Sequence, residues 1–477
     1  MRPIIFFIIL FLSSCMKEST LPTRYDSRVV GAVSSFKEQS WGTCWAFATM
    51  STLESNLLRS SEWSKSGEKG HADLAEYHLD KFNGFNRHGR KGDRQEGWYS
   101  GQGEKFVGSN LDEPEDGLVV HLGGDYQVSS AYLLSVGGAV QERLTPAVNN
   151  RDFNSFGNTS SDGVLLKNNY KYFLPRDMEW LSFSGTDEQK REKVKKAIMK
   201  YGAVASAQNM RDEPLAIASD GLEIHMNLNE EKLNHAVSLV GWDDSLVYKG
   251  HKGAWIVKDS DHKDEKTGKH IGIFYIMYDD LHAAKDKYMG AIAFSNTKEN
   301  TFKEVLTHSL HGWRYNTTGK IEYIRSVFDS STNGHISKIG YVSLEKDNEV
   351  NLEIFINKKK ITELNFRHSE VGVFVRDIEN IVLKEGDLVE VYQRNTSGKY
   401  GFDGSFMMEV LLGKLPKWGD PVSVSSKARV GEAYYKVIGE SLEKDFSKYA
   451  QLDWEASKEK KEKVSLSASP SLFIYIE

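Results

Sequence analysis

Gln39-Ser40-Trp41-Gly42-Thr43-Cys44-Trp45-Ala46-Phe47-Ala48 places a thiol between a turn and the first residues of a helix. Trp41-Gly42 carries turn chemistry, Thr43 stands where an N-cap belongs, and Ala46, Met50, Leu53 and Leu57 recur at helical spacing as one apolar stripe. The spacing predicts a helix that opens at Cys44 and turns this stripe inward. Free cysteines most often serve as small buried hydrophobes. At a helix N-terminus beside a protonated histidine, however, the dipole and the imidazolium both favour the thiolate, which is the reactive form. Cys44 is therefore a candidate nucleophile.

Outward from this stretch, further segments follow in order. Leu21-Pro22-Thr23-Arg24-Tyr25-Asp26 and Val33-Ser34-Ser35-Phe36-Lys37-Glu38 precede it, and Asp73-Leu74-Ala75-Glu76 comes after. Next are Leu122-Gly123-Gly124-Asp125 with Ala131-Tyr132-Leu133, then Asn234-His235-Ala236-Val237 running into Val240-Gly241-Trp242. Gly253-Ala254-Trp255-Ile256-Val257-Lys258-Asp259-Ser260 closes the set. Over residues 21–296 this series resembles the papain-like cysteine peptidases of the C1 type, in family order.

The resemblance implies an α+β fold: a two-lobed peptidase domain with a helical lobe over about 21–140 and a β-barrel-like lobe over about 141–296. The cleft lies between the lobes, with Cys44 on one wall and His235 and Asp259 on the other. A thiolate needs a cation beside it, and that cation needs an acceptor to fix its ring. His235 is singled out among 14 histidines because it begins the apolar run Ala236–Trp242, a predicted buried strand that sets its imidazole at the rim of a sheet. Where the family carries Asn, this chain has Asp259, so the triad reads Cys-His-Asp; the family's following Trp is replaced by Asp261. The resemblance makes Gln39 the oxyanion-hole donor, but only four residues separate it from Cys44 where the family has five: either the loop through Ser40 and Trp41 is tighter and Gln39 still reaches, or the hole is incomplete and activity is weak. Gly123 and Gly124 match the substrate-binding turn, where a side chain would block the approach of a substrate backbone.

The N-terminus reads Met1-Arg2-Pro3, then an apolar run, then Leu12-Ser13-Ser14-Cys15. One early positive charge and a run too short to span a bilayer predict a secretory signal over 1–14. Leu12–Cys15 resembles a bacterial lipobox, which predicts lipidation of Cys15, a tether over 15–20 and a membrane-anchored, extracytoplasmic enzyme. Only two cysteines occur, so once Cys15 carries lipid no disulfide is available within a monomer. The few residues between Cys15 and Leu21 leave no room for a long inhibitory pro-segment, so the expectation is an enzyme controlled by export, access or redox state.

After about residue 297 the pattern changes to period two. Leu352, Ile354 and Ile356 alternate with Glu353, Phe355 and Asn357, Val371, Val373 and Val375 alternate likewise, and turn residues recur every ten or so positions. Strands are predicted over 319–329, 336–344, 387–393, 406–412 and 472–476, giving a β-sandwich over 297–477 that resembles the lectin-like domain following some bacterial C1 peptidases. That resemblance implies a carbohydrate or protein ligand, although no sugar-binding constellation is identifiable; Tyr315, Tyr323 and Trp418 read as core aromatics. Phe82–Gly117 reads as a long surface loop, Ala456–Lys463 as a solvated charged stretch, and Glu188–Tyr201 as an amphipathic helix with Val194, Ile198 and Tyr201 inward.

A formal net charge of −6 with no long basic run leaves no footprint for nucleic acid. No Gly-rich phosphate loop and no clustered metal-ligand spacing occur, so neither cofactor nor metal is expected. The leading function is a cysteine endopeptidase acting on proteins or peptides at the bacterial cell envelope. A catalytically inactive papain-fold binding protein or adhesin is a second reading. Related thioester chemistry, amide exchange or cell-wall peptide hydrolysis, is a third.

Overall fold

The structure is a computed structural model that describes residues 21–39, 42–85, 118, 123–144, 170–210, 214–230, 232–261, 272–318, 320–404, 406–408, 422–424, 426, 428–452 and 467–477. The signal, Cys15 and the tether, most of the 82–117 loop, Trp418 and the 456–463 stretch lie outside the described residues. No helix among those described is long and apolar enough to cross a membrane.

The first lobe is built on two buried helices, Cys44–Arg59 and Tyr126–Val136. Ala46, Met50, Leu53 and Leu57 all face the core, as their spacing predicts. Helix to helix, Thr49 Oγ1 and Ser129 Oγ share a hydrogen bond of 2.8 Å. In the second lobe, Val204–Gln208, His235–Tyr248, His251–Lys258 and Ile273–Met277 form successive antiparallel strands. The N-terminal strand Arg24–Asp26 pairs with the far half of the His235 strand. Helix Asp187–Tyr201 packs on this sheet through Val194 and Ile198, with Tyr201 only half-buried beside them. A reciprocal cap between Thr186 and Gln189 starts this helix, and Gly202, at φ 100°, ends it.

Beyond residue 296 two sheets face each other. One orders Lys359–His368, Asn348–Ile356, Leu388–Asn395, Ile321–Asp329, Ala433–Val437 and Lys444–Asp445. The other orders Glu304–Leu306, Leu472–Ile476, Gly334–Ser343 and Gly372–Leu383. Ile339, Tyr341, Leu352, Ile354, Val389 and Ile474 fill the space between them. The period-two reading is thus realised as a sandwich. Strand Lys359–His368 escaped that reading because it is an edge: Lys359, Lys360, Glu363 and Arg367 face solvent. Tyr323 departs from its expected core position. It lies half-buried on the outer face of its sheet, under the cations of Arg394 and Lys436 at 5.1 and 5.8 Å, because its neighbour Ile324 takes the inward place in the strand alternation.

The second of these sheets does not stop at the sandwich. Gly372, Val373 and Phe374 pair with Glu179, Met178 and Asp177, and strand Asp177–Trp180 pairs in turn with Ile292–Ser295 of the peptidase lobe. One continuous sheet therefore runs through both halves of the molecule.

Candidate active site

Cys44 is the first residue of its helix and is buried. Thr43 occupies the N-cap position without the predicted capping bond from its side chain. Its φ of −108° and ψ of 10° lie outside the extended region from which a hydroxyl reaches the third helical N–H. Its carbonyl instead accepts from the N–H groups of Ala46 and Phe47, at 2.9 and 3.2 Å.

Sheet register brings the other two residues together. Ser238 lies opposite Lys258 in an antiparallel pair, so Asp259 falls level with Val237 and becomes the diagonal neighbour of His235 on the same face. His235 Nε2 is 2.7 Å from Asp259 Oδ1, and both side chains are buried. Burial opposes the imidazolium, but the charge and hydrogen bond of Asp259, followed by a side-chain hydrogen bond with Cys44, hold the His235 pKa well above the ordinary histidine value. With Nε2 engaged by the carboxylate, Nδ1 is the ring nitrogen left for sulfur. The three residues singled out in sequence thus meet at one imidazole.

Gln39 is anchored beside them. Its N–H donates to the Ser260 carbonyl at 2.8 Å, and its side-chain Oε1 accepts from Ser260 Oγ at 2.8 Å. The carbonyl end of its side-chain amide is thus fixed by Ser260. Sequence alone gives Ser260 no role, and its place directly after Asp259 is the one signal it offers. The loop through Ser40 and Trp41, on which the shortened spacing bears, lies outside the described residues.

Gly123 adopts φ 116°, a conformation that favours glycine. A Cβ on Gly124 would sit 2.5 Å from the ring of Trp45, the residue after the nucleophile. The turn therefore lies against the start of the nucleophile helix. Asp125 then caps the following helix, accepting from Val128 N–H at 2.8 Å. Tyr126 is fully buried and donates to the Ser206 carbonyl; burial, and then the charge of the nearby Cys44, push its hydroxyl pKa up.

Beneath the triad lies an ionic cluster that joins three of the quoted segments to Glu54 and Glu142. Lys37 Nζ is within 3.2 Å of Glu54, Asp73, Glu76 and Glu142. Lys258, next to Asp259, donates to Ser34 Oγ at 2.9 Å, and Ser34 donates to Glu54. Burial lowers the Lys258 pKa to about 8. Burial raises the carboxyl pKa of Glu76, Lys37 opposes that rise, and Glu54 and Glu142 add to it.

The fold and this constellation define a class: the chain carries a papain-like cysteine peptidase domain with a further C-terminal domain. The model described as the papain family cysteine protease matches residues 132–280, a stretch that contains His235 and Asp259. Cys44 lies before that stretch and joins them through the fold. Among solved structures, the chain is similar to the clostridial cysteine protease Cwp84 in its form after propeptide cleavage. That likeness has a TM-score of 0.65 at 18% identity, over 94% of this chain and 98% of that one. A second structure comprises the cysteine protease and lectin-like domains of Cwp84, a surface-layer-associated protein of Clostridium difficile. It matches at TM-score 0.62 and 18% identity, over 95% of this chain and 88% of that one. No curated protein matches the chain. The likeness to Cwp84 is one of fold, and it extends over both halves of the molecule.

Proposed function

We propose that this peptidase hydrolyses peptide bonds through a thioester on Cys44, at the bacterial cell envelope. The observation that carries the reading is the single imidazole of His235 shared between Asp259 at 2.7 Å and Cys44. The thiolate attacks the scissile carbonyl carbon, the C–N bond breaks, and the imidazolium passes its proton to the leaving amine. Water, deprotonated by the same imidazole, then hydrolyses the thioester and frees the thiol. The amide NH2 of Gln39 and the backbone N–H of Cys44 receive the carbonyl oxygen as it becomes an oxyanion. Gly123 and Gly124 let the substrate backbone approach. The substrate is protein or peptide. The sandwich takes a carbohydrate or protein ligand, and Cys15 carries lipid outside the cytoplasm; the lectin-like domain and surface-layer association of Cwp84 support this side of the reading.

The test is incubation of the soluble form, begun at Lys17, with unfolded protein and a thiol-directed irreversible inhibitor, beside Cys44→Ser. Cleavage that the inhibitor and the substitution both abolish is the expected result. Labelling equal in Cys44→Ser and the parent, or no cleavage of any substrate, would overturn it.

A further inference from the structure

The helix that follows the Gly123-Gly124 turn is held from outside the peptidase lobes. Asp125 already caps this helix, yet both its oxygens also receive Arg314 Nη1, at 3.0 and 3.1 Å. The two side chains are 10% and 3% exposed, so this is a largely buried charge pair, and the guanidinium also lies 5.5 Å from the centre of the Phe85 ring. Capping alone does not call for a buried cation. Thr186 starts the Asp187–Tyr201 helix with a hydroxyl and a glutamine.

Around Arg314 the chain is fastened on two sides. Toward the helix, Gln127 Nε2 donates to the Trp313 carbonyl at 2.8 Å, and Gly312 abuts Ala131 so closely that a Cβ would come to 3.0 Å of its side chain. Toward the sandwich, Arg314 N–H donates to the Phe402 carbonyl at 3.1 Å, Tyr315 stacks on Phe402, and His311 Nδ1 meets Asp403 Oδ1 at 3.0 Å in full burial. Trp313 is wedged against Trp180 and Phe183 of the peptidase.

We infer that Arg314 is a positioning residue for peptide binding, through which the C-terminal domain sets the substrate turn of the peptidase cleft. The inference rests on the assignment of Gly123-Gly124 as the turn that receives substrate backbone. The physical ground is that a buried charge pair contributes little net stability, whereas a guanidinium nitrogen held to both oxygens of Asp125 restrains the orientation of that carboxylate. Here the oriented carboxylate sets the start of a helix. Gly123 and Gly124 come directly before that carboxylate and Tyr126 directly after it, so a shift of Asp125 moves the surface against which substrate lies.

The experiment compares the whole protein with Arg314→Lys, Arg314→Gln and Arg314→Ala on a quenched-fluorescence peptide library. Active sites are titrated with a thiol-directed inhibitor, so that KM and kcat are read per folded molecule, whatever fraction folds. KM is expected to rise about tenfold in Arg314→Gln and Arg314→Ala while kcat changes less than about threefold, the signature of lost ground-state binding. Arg314→Lys keeps the charge without the planar guanidinium that lies over Phe85 and is expected between these and the parent. Alkylation of Cys44 by iodoacetamide, which needs no substrate turn, is expected to keep the parent rate. KM values equal to the parent in all three variants would overturn the inference and leave the peptidase reading standing. A parent that neither cleaves nor takes label at Cys44 would remove both.

Discussion

At the residue scale, the substitution of a carboxylate for the family's amide has a signed consequence. Asp259 raises the His235 pKa against the opposing effect of burial, so the imidazolium survives to higher pH than an isolated histidine would. Replacing the charge while keeping the acceptor, as in Asp259→Asn, is therefore expected to move the alkaline limb of kcat/KM to lower pH and to cost about tenfold or less near neutrality. Asp259→Ala, which removes the acceptor as well, is expected to lose about 10²-fold or more. An alkaline limb that stays in place in Asp259→Asn would show that the carboxylate does not govern the imidazolium. The same sign holds for stability: this raised pKa stabilises the fold fully below the unfolded histidine value and less as pH climbs through the folded one. Gln39→Ala is expected to leave the thermal midpoint nearly unchanged and to lower kcat by about 10²–10³, as the loss of one oxyanion donor does. An unchanged kcat would take Gln39 out of the mechanism.

Among single elements, the ionic cluster under the nucleophile helix explains why Lys37 and Glu76 occur in segments that carry no chemistry of their own, and why Lys258 stands beside Asp259. The four acids around Lys37 outnumber the nearby ammonium groups, so burial and mutual repulsion keep a proton on Glu76 and Glu142 that an unfolded glutamate would have lost. The folded state then binds more protons than the unfolded one above about pH 4.5, and stability falls as pH rises. Glu76→Gln is expected to flatten that decline in denaturant titrations at a series of pH values; an unaltered slope would contradict the assignment. Lys37→Met leaves the acids facing one another and is expected to cost about 3–5 kcal/mol. Much of this was legible in sequence, since helix stripe, buried strand and motif order are local patterns. Cys44, His235, Asp259 and Gln39 could be named because each sits inside such a pattern. The hold of Ser260 on Gln39 and of Arg314 on Asp125 could not, because each joins positions 189 to 221 residues apart that no periodicity links. The Lys359–His368 strand was hidden for another reason: an edge strand satisfies solvent with charge and so loses the apolar signal.

For the whole molecule, the sequence divides into two domains near residue 296, whereas the fold joins them at two levels. Gly372–Phe374 continue the peptidase sheet through Asp177–Glu179, and Phe473 and Tyr475 of the last strand enter the same core as the two helices of the first lobe. Tyr475 Oη also donates to the Leu134 carbonyl at 2.9 Å, on the helix that begins at Asp125. A chain ended after residue 296 would lose these partners and Trp313, baring apolar surface on both lobes. Each large side chain left uncovered forfeits about 1.5–3 kcal/mol, against a total stability of about 5–15 kcal/mol for a typical domain. Residues 21–296 alone are therefore expected to be insoluble or to melt far below the whole chain, and the whole chain is expected to unfold in one calorimetric transition spanning both halves. Two separated transitions, with a truncated peptidase that keeps its KM and thermal midpoint, would mean that the shared sheet and core are contacts of convenience. A single transition would place the substrate cleft and the sandwich in one cooperative unit, so that whatever the sandwich binds acts on the frame that holds the Gly123-Gly124 turn.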